Sequence, residues 1–146
     1  MSMTNTAEAN FLGLLFQNIN WADIGDATGL RNASTAGSLF ISLHTADPGE
    51  TGTQTTNETT YTSYSRVGVV RSNSGFTLTA QTITNAALVQ FPQCTGGTST
   101  VTHFGIGTDS SGAGNLLLKG ALASPLSVSN GIQPQFAAAA LSVTVD

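Results

Sequence analysis

Apolar and polar residues alternate along most of the chain after residue 38. In residues 39–46, Leu39, Ile41 and Leu43 occupy every second position, a period typical of a strand with one apolar face. Asp47-Pro48-Gly49 then predicts a turn out of the sheet. About eight short strands follow one another at regular spacing. The pattern therefore predicts a mainly β fold, either an antiparallel β-sandwich or a jelly-roll-like barrel.

One stretch, near the N-terminus, has helical spacing instead. Asn5 and Glu8 stand three residues apart, as in a capping box, and predict one N-terminal α-helix over about residues 5–19. Its apolar stripe either packs on the sheet of its own subunit or, with the tryptophan that follows, contacts a neighbouring subunit. We expect a homo-oligomer, a dimer or a trimer, and under the second alternative its candidate contacts are Phe11, Leu15, Phe16, Ile19 and Trp21.

Two polar connectors interrupt the apolar pattern. In the first, Asp23, Asp26 and Arg31 could form ion pairs. The second, residues 50–63, is almost wholly Thr, Gly, Gln, Asn and Glu, so we expect an exposed loop, here called the Thr-rich loop. Candidate oligomer or capsid contacts in and after this loop are Glu50, Glu58, Tyr61 and Tyr64.

A second turn signal follows at Ser72-Asn73-Ser74-Gly75. It lies between an alternating run that ends at Arg71 and another that begins at Phe76. We therefore expect these two runs to pair as a hairpin.

Composition narrows the classes of partner. A chain of 146 residues fits a single domain, residues 1–146. Only 8% of the residues are charged and the net charge is −4, which argues against nucleic acid as a partner. No apolar run approaches the roughly 20 residues of a membrane helix, so we expect no membrane partner. The single cysteine, Cys94, fits assembly in a reducing host cytoplasm and is expected to be a small core residue.

The motifs that could carry chemistry are weak. Gly105-Ile106-Gly107 begins like a dinucleotide-binding loop but lacks the third glycine and the following helix. His44 and His103 could meet across a sheet, with Cys94 as the one possible third zinc ligand. Residues 109–115 offer calcium a single carboxylate. We therefore predict no catalytic, cofactor or metal site, and a protein that is not an enzyme.

The order and spacing of four motifs resemble a family of small virion structural proteins of tailed bacteriophages. The resemblance covers nearly the whole chain, and its members are labelled tail-fibre-like proteins or capsid decoration (cement) proteins. It implies a virion component and supplies no catalytic residues. The motifs are the run from Leu39 to Glu50, Tyr61-Thr62-Ser63-Tyr64-Ser65-Arg66-Val67, Phe91-Pro92 and His103-Phe104-Gly105-Ile106-Gly107-Thr108.

Within this family we favour a capsid decoration protein. It would lie on the capsid surface of the virion, bind the major capsid protein and stabilise contacts between shell subunits. The reason is that the chain is small and has no coiled coil or fibrous repeat. The alternative is a tail-associated or tail-fibre-like protein involved in host attachment.

Overall fold

The computed structural model describes residues 2–25 and 29–145. In this part of the chain one helix precedes nine strands that form three sheets, with strand orders β2-β1-β6-β7, β3-β4-β9 and β5-β8. The pairings β1–β6, β6–β7, β3–β4 and β4–β9 are antiparallel. The elements are α1 (Asn5–Gln17), β1 (Ser38–His44), β2 (Val67–Val70), β3 (Phe76–Thr79), β4 (Thr82–Asn85), β5 (Val89–Gln90), β6 (Ser99–Gly107), β7 (Leu116–Val128), β8 (Gln135–Phe136) and β9 (Ser142–Thr144).

The predicted fold class, mainly β and antiparallel with one N-terminal helix, is confirmed. The barrel alternative is wrong, because the strand orders are linear and do not return to their first strand. Open sheets of this kind fit the β-sandwich.

The chain divides into two compact units. Unit 1 comprises Met1–Ser38, Val69–Val89 and Phe136–Asp146, and unit 2 comprises Leu39–Gly68 and Gln90–Gln135. The single domain expected for residues 1–146 stays a prediction. Each unit buries large apolar side chains: Leu12, Phe16, Phe76, Ile83 and Leu141 in unit 1, and Ile41, Leu43, Phe91, Val101 and Ile106 in unit 2.

Helix α1 is capped one residue earlier than expected. Thr4, not Asn5, is the N-cap, and its hydroxyl accepts the Ala7 N–H at 3.4 Å. The helix ends at Gln17 because Asn18 adopts a left-handed conformation with φ 57°, a common helix terminator. The predicted end at residue 19 was therefore two residues too late.

The inward side of α1 packs on the three-stranded sheet of unit 1. Leu12 and Phe16 are fully buried, and the Phe16 ring meets Phe76 of β3 edge to face with centroids 5.0 Å apart. Gln17 donates from Nε2 to the Phe76 carbonyl oxygen at 2.9 Å. This half of the apolar stripe therefore stabilises its own subunit.

The predicted hairpin across Ser72-Asn73-Ser74-Gly75 is wrong. The turn exists, with the Gly75 N–H donating to the Ser72 carbonyl oxygen at 3.0 Å. However, β2 joins the four-stranded sheet, whereas β3 pairs with β4. The tight hairpin of unit 1 is β3–β4, whose turn places Ala80 at φ 53°.

The Thr-rich loop contains neither helix nor strand, but it is not wholly exposed. Gln54, Thr59 and Tyr61 are buried. Strand β1 is correspondingly buried on both faces, since Ser42 and His44 are as inaccessible as Ile41. Polarity predicted exposure here, and the hydrogen bonds described below explain why these polar groups are buried instead.

Candidate functional site

A groove of about 440 Å³ runs along the outward side of α1 in unit 1. We call it the helix groove. Its apolar part comes from the helix, where Phe11 keeps 38% of its surface exposed. The groove is lined by Phe11, Leu14, Leu15, Arg31, Asn32, Ala33 and Arg71.

Two arginines make the helix groove positively charged. The Arg71 guanidinium donates to the carbonyl oxygens of Leu14 at 2.7 Å, Leu15 at 2.7 Å and Ala36 at 3.1 Å. These bonds satisfy carbonyls of the last helical turn and hold the cation without a carboxylate. Arg31 is exposed and forms no ion pair within the described residues.

The candidate contacts on the N-terminal segment differ in how far their side chains are exposed. Phe11 and Leu15 line the helix groove, and Ile19 is 48% exposed, so these three are accessible to another chain. Trp21 is half-buried, and its backbone pairs with Leu30 in both directions. Phe16 is not available for such a contact, because its side chain is fully buried in its own subunit.

The expected ion pairs of the first connector do not form among the described residues. Asp23 and Arg31 are both exposed and are not paired with each other. The third member of the expected set, Asp26, lies outside the described residues. Among the described residues, Arg31 and Asp23 are therefore both left without an ion pair on the surface of unit 1.

A buried ion pair dominates unit 2. Arg66 donates to both oxygens of Glu58, with Nε–Oε1 at 2.7 Å and Nη2–Oε2 at 2.8 Å, in the bidentate geometry that favours arginine. Its remaining donors reach the Asp109 carbonyl oxygen at 2.9 Å and the Gly112 carbonyl oxygen at 2.7 Å. The bond to Glu58 raises the pKa of Arg66 further. The pair thus fastens the Thr-rich loop to the loop that follows β6.

The tyrosines support the same attachment. The Tyr64 hydroxyl accepts the Leu43 N–H at 3.0 Å and donates to Glu58 Oε1 at 2.9 Å. Burial raises the pKa of Tyr64, and it raises the pKa of Tyr61 to about 12. Tyr61 donates to the Pro92 carbonyl oxygen at 3.0 Å. Both phenols therefore stay neutral, and both bond within the subunit.

Of the four candidate contacts in and after the Thr-rich loop, Glu50 alone presents most of its side chain to solvent. Its side chain is 91% exposed and lies 3.1 Å from Lys119 Nζ. Lys119 also reaches Asp47 at 3.0 Å. By contrast, Glu58 and Tyr61 are largely enclosed and bonded inside unit 2, which argues against an external contact at either side chain. Tyr64 is half-buried.

A serine–histidine pair that sequence patterns did not reveal lies beneath the Thr-rich loop. His44 Nδ1 is 2.8 Å from the Thr56 carbonyl oxygen, which can only accept, so Nδ1 carries the proton. Nε2 therefore accepts the Ser42 hydroxyl at 2.8 Å. Burial lowers the pKa of His44 and keeps the ring neutral. A nucleophile and its base share this geometry, but both side chains are fully buried.

The glycines of Gly105-Ile106-Gly107 provide clearance for buried polar side chains. A Cβ at Gly105 would lie 2.7 Å from both His44 Nε2 and Ser42 Oγ, and one at Gly107 would lie 2.5 Å from Gln54 Nε2. Gln54 exchanges two hydrogen bonds with the Asp109 backbone, at 3.2 and 3.0 Å. The signal available in the sequence was two glycines on one face of a strand, which often marks close packing.

The expected meeting of the two histidines occurs, since His44 stands opposite His103 in the β1–β6 register. Cys94 does not join them, because its thiol donates to the Gly96 carbonyl oxygen at 3.2 Å. Across residues 2–25 and 29–145 no group of three or more His, Cys, Asp or Glu residues could hold a metal ion. Within the same residues no helix is long and apolar enough to cross a membrane.

Comparison with known proteins gives one informative match. The family model described as podophage GP4 fiber I protein gp80 matches residues 2–144. The matched region includes both compact units. No curated protein matches the chain.

Proposed function

We infer the function from a single premise: the chain belongs to the family of the podophage GP4 fiber I protein gp80, and it is a structural protein of the bacteriophage virion. We propose that its place in the virion is a fibre. In this proposal the tail-fibre-like alternative replaces capsid decoration as the favoured function.

The observation that carries this proposal is the extent of the family match. The match runs from residue 2 to residue 144, so the description of the family as a fibre protein applies to unit 1 and unit 2 together. The argument for decoration was the lack of a coiled coil or fibrous repeat. That lack argues against a long shaft, but it is compatible with a globular subunit of a fibre.

The structure suggests how such a subunit would work. In unit 2, the Thr-rich loop is held by the Glu58–Arg66 pair and by Gln54, so it is a fixed surface. In unit 1, the helix groove leaves apolar and cationic groups exposed. We propose that the N-terminal segment joins subunits into a homo-oligomer, and that the neutral, hydroxyl-rich surface elsewhere takes part in host attachment. We propose no role for nucleic acid, membrane or catalysis.

The copy number in purified particles tests this proposal. Stained gels, read against the major capsid protein, should show the chain to be scarcer by more than an order of magnitude. Gold-labelled antibody against the chain should mark fibres in electron micrographs. A copy number comparable to that of the shell subunit, with label spread over the head, would overturn the fibre proposal and support capsid decoration.

A further inference from the structure

We propose that residues 22–25 of one copy, which we call the connector tip, dock in the helix groove of a second copy. In this contact Asp23 faces Arg31 of the other copy, and Ile24 enters the apolar part of the groove. The inference rests on the proposed fibre function, in which subunits associate with one another, and it names the two surfaces that meet.

The helix groove has the chemistry of a site for a short segment that is both apolar and acidic. Phe11 and Leu15 present apolar surface that their own subunit leaves uncovered. Arg71 is fixed by three carbonyl oxygens and forms no ion pair in the described part of the chain, and Arg31 stands exposed. In a chain of net charge −4, such a concentration of positive charge favours an acidic occupant.

The connector tip supplies the complementary groups. The connector tip directly follows Trp21, whose backbone pairs with that of Leu30 at 2.9 and 2.8 Å. Beyond this bridge Ile24 keeps 42% of its surface exposed, and Asp23 is exposed at φ 61°. An aliphatic side chain beside a carboxylate matches the apolar surface and the positive charge of the helix groove.

Three other carboxylates among the described residues are less suited to this role. Glu58 is held by Arg66, whereas Asp47 and Glu50 share Lys119. Asp23 forms no ion pair within the described residues. A second copy would therefore pair Asp23 and Arg31, two charges that form no ion pair within residues 2–25 and 29–145 of a single copy.

Each subunit carries both a connector tip and a helix groove, so the contacts can form a closed oligomer. Two copies would exchange both contacts about a two-fold axis, and three would form a ring. Each contact consists of one ion pair at a rim and one aliphatic anchor. We therefore expect modest affinity per contact and a measurable dependence on ionic strength.

Charge exchange between the two surfaces tests the contact in the purified full chain. Sedimentation equilibrium over a range of concentrations would measure self-association of the wild type, Arg31→Glu, Asp23→Lys and the double variant. We expect each single variant to weaken association by about tenfold and the double variant to restore most of it. Ile24→Ser should also weaken association, because it removes the anchor. Circular dichroism checks that every variant is folded.

Matched controls exclude general effects of charge and polarity. Asp47→Lys makes the same change of charge as Asp23→Lys at an exposed carboxylate of unit 2, and Leu88→Ser removes an aliphatic group that is 52% exposed. Both controls should associate like the wild type. A monomeric wild type, an oligomer indifferent to the single variants, or no recovery in the double variant would overturn the contact. A monomeric wild type would also overturn the proposed homo-oligomer, whereas the location of the chain in a fibre is tested separately by the copy number.

Discussion

Replacing Arg66 by methionine should strongly destabilise unit 2. The Arg66 side chain is 3% exposed, and its guanidinium forms bonds of 2.7 to 2.9 Å to Glu58 and to two backbone carbonyl oxygens. Methionine fills similar space but has no donor. The Glu58 carboxylate would keep the Tyr64 hydroxyl as a donor and lose its cation while remaining mostly enclosed.

The size of the loss follows from the unpaired charge. Removing one partner of a buried ion pair costs about 3–5 kcal/mol, because the other charge stays buried without compensation. The Glu58 side chain is 15% exposed and can recruit some water. We therefore expect a loss at the lower end, about 3 kcal/mol. For a chain of this size, this corresponds to a fall of about 10 °C in the unfolding temperature.

Urea unfolding followed by far-ultraviolet circular dichroism would measure the loss. Lys119→Met is the matched control, since it removes a lysine from an exposed ion cluster and should change stability little. Adding Glu58→Leu to Arg66→Met should recover part of the loss, because the orphaned carboxylate is then gone. The reasoning is refuted if Arg66→Met is no less stable than Lys119→Met, or if the second substitution lowers stability further.

Four further substitutions and a change of pH test the local interactions in the same unfolding assay. Because burial lowers the pKa of His44, its contribution is fully present above about pH 6.5 and is lost as the pH falls through the lowered value. Stability of the wild type should therefore drop as the pH falls below about 6.5, and His44→Gln should show a smaller drop. Gly107→Ala should destabilise by about 1–3 kcal/mol by crowding Gln54. Gly13→Ala should instead stabilise by about 0.5–1 kcal/mol, because its methyl group would lie at the ordinary contact distances of 3.8 to 3.9 Å from Ile19 and Leu78. Ala80→Asn should stabilise by up to about 1 kcal/mol, since asparagine tolerates a positive φ better than alanine; equal stability would show that Ala80 is not strained.

Helices and strands could be predicted from the sequence where apolar residues recur at a regular local spacing. Strand β1 and helix α1 were both predicted, because alternation and helical spacing depend on residues close together in the chain. The ends of α1 were missed by one or two residues, since Thr4 and Asn18 are as good at capping as their neighbours. The pairing of the strands was harder to predict. A turn precedes Phe76 as expected, but β3 pairs with β4 and not with β2.

Burial of the Thr-rich loop could not be predicted from polarity. Gln54 is fully buried because the Asp109 backbone, 55 residues away, accepts and donates to its amide. His44 is buried because the Thr56 carbonyl oxygen and the Ser42 hydroxyl satisfy both of its ring nitrogens. Hydrogen bonds between distant segments have no period in the sequence. The sequence indicated them only through Gly105 and Gly107 of β6, which leave the space that the His44 and Gln54 side chains need.

The N-terminal stripe shows why the candidate contact was only partly predictable. Five apolar residues on one helix form a stripe wider than a single packing face. The sequence therefore left two alternatives open, the sheet of the same subunit and a neighbouring subunit. The structure divides the stripe between them: Leu12 and Phe16 pack inward, while Phe11 and Leu15 line a groove that their own subunit leaves open. Contact with a second copy remains a prediction, and the exposed Asp23 gives it a specific partner for Arg31 because neither charge is paired within the described chain.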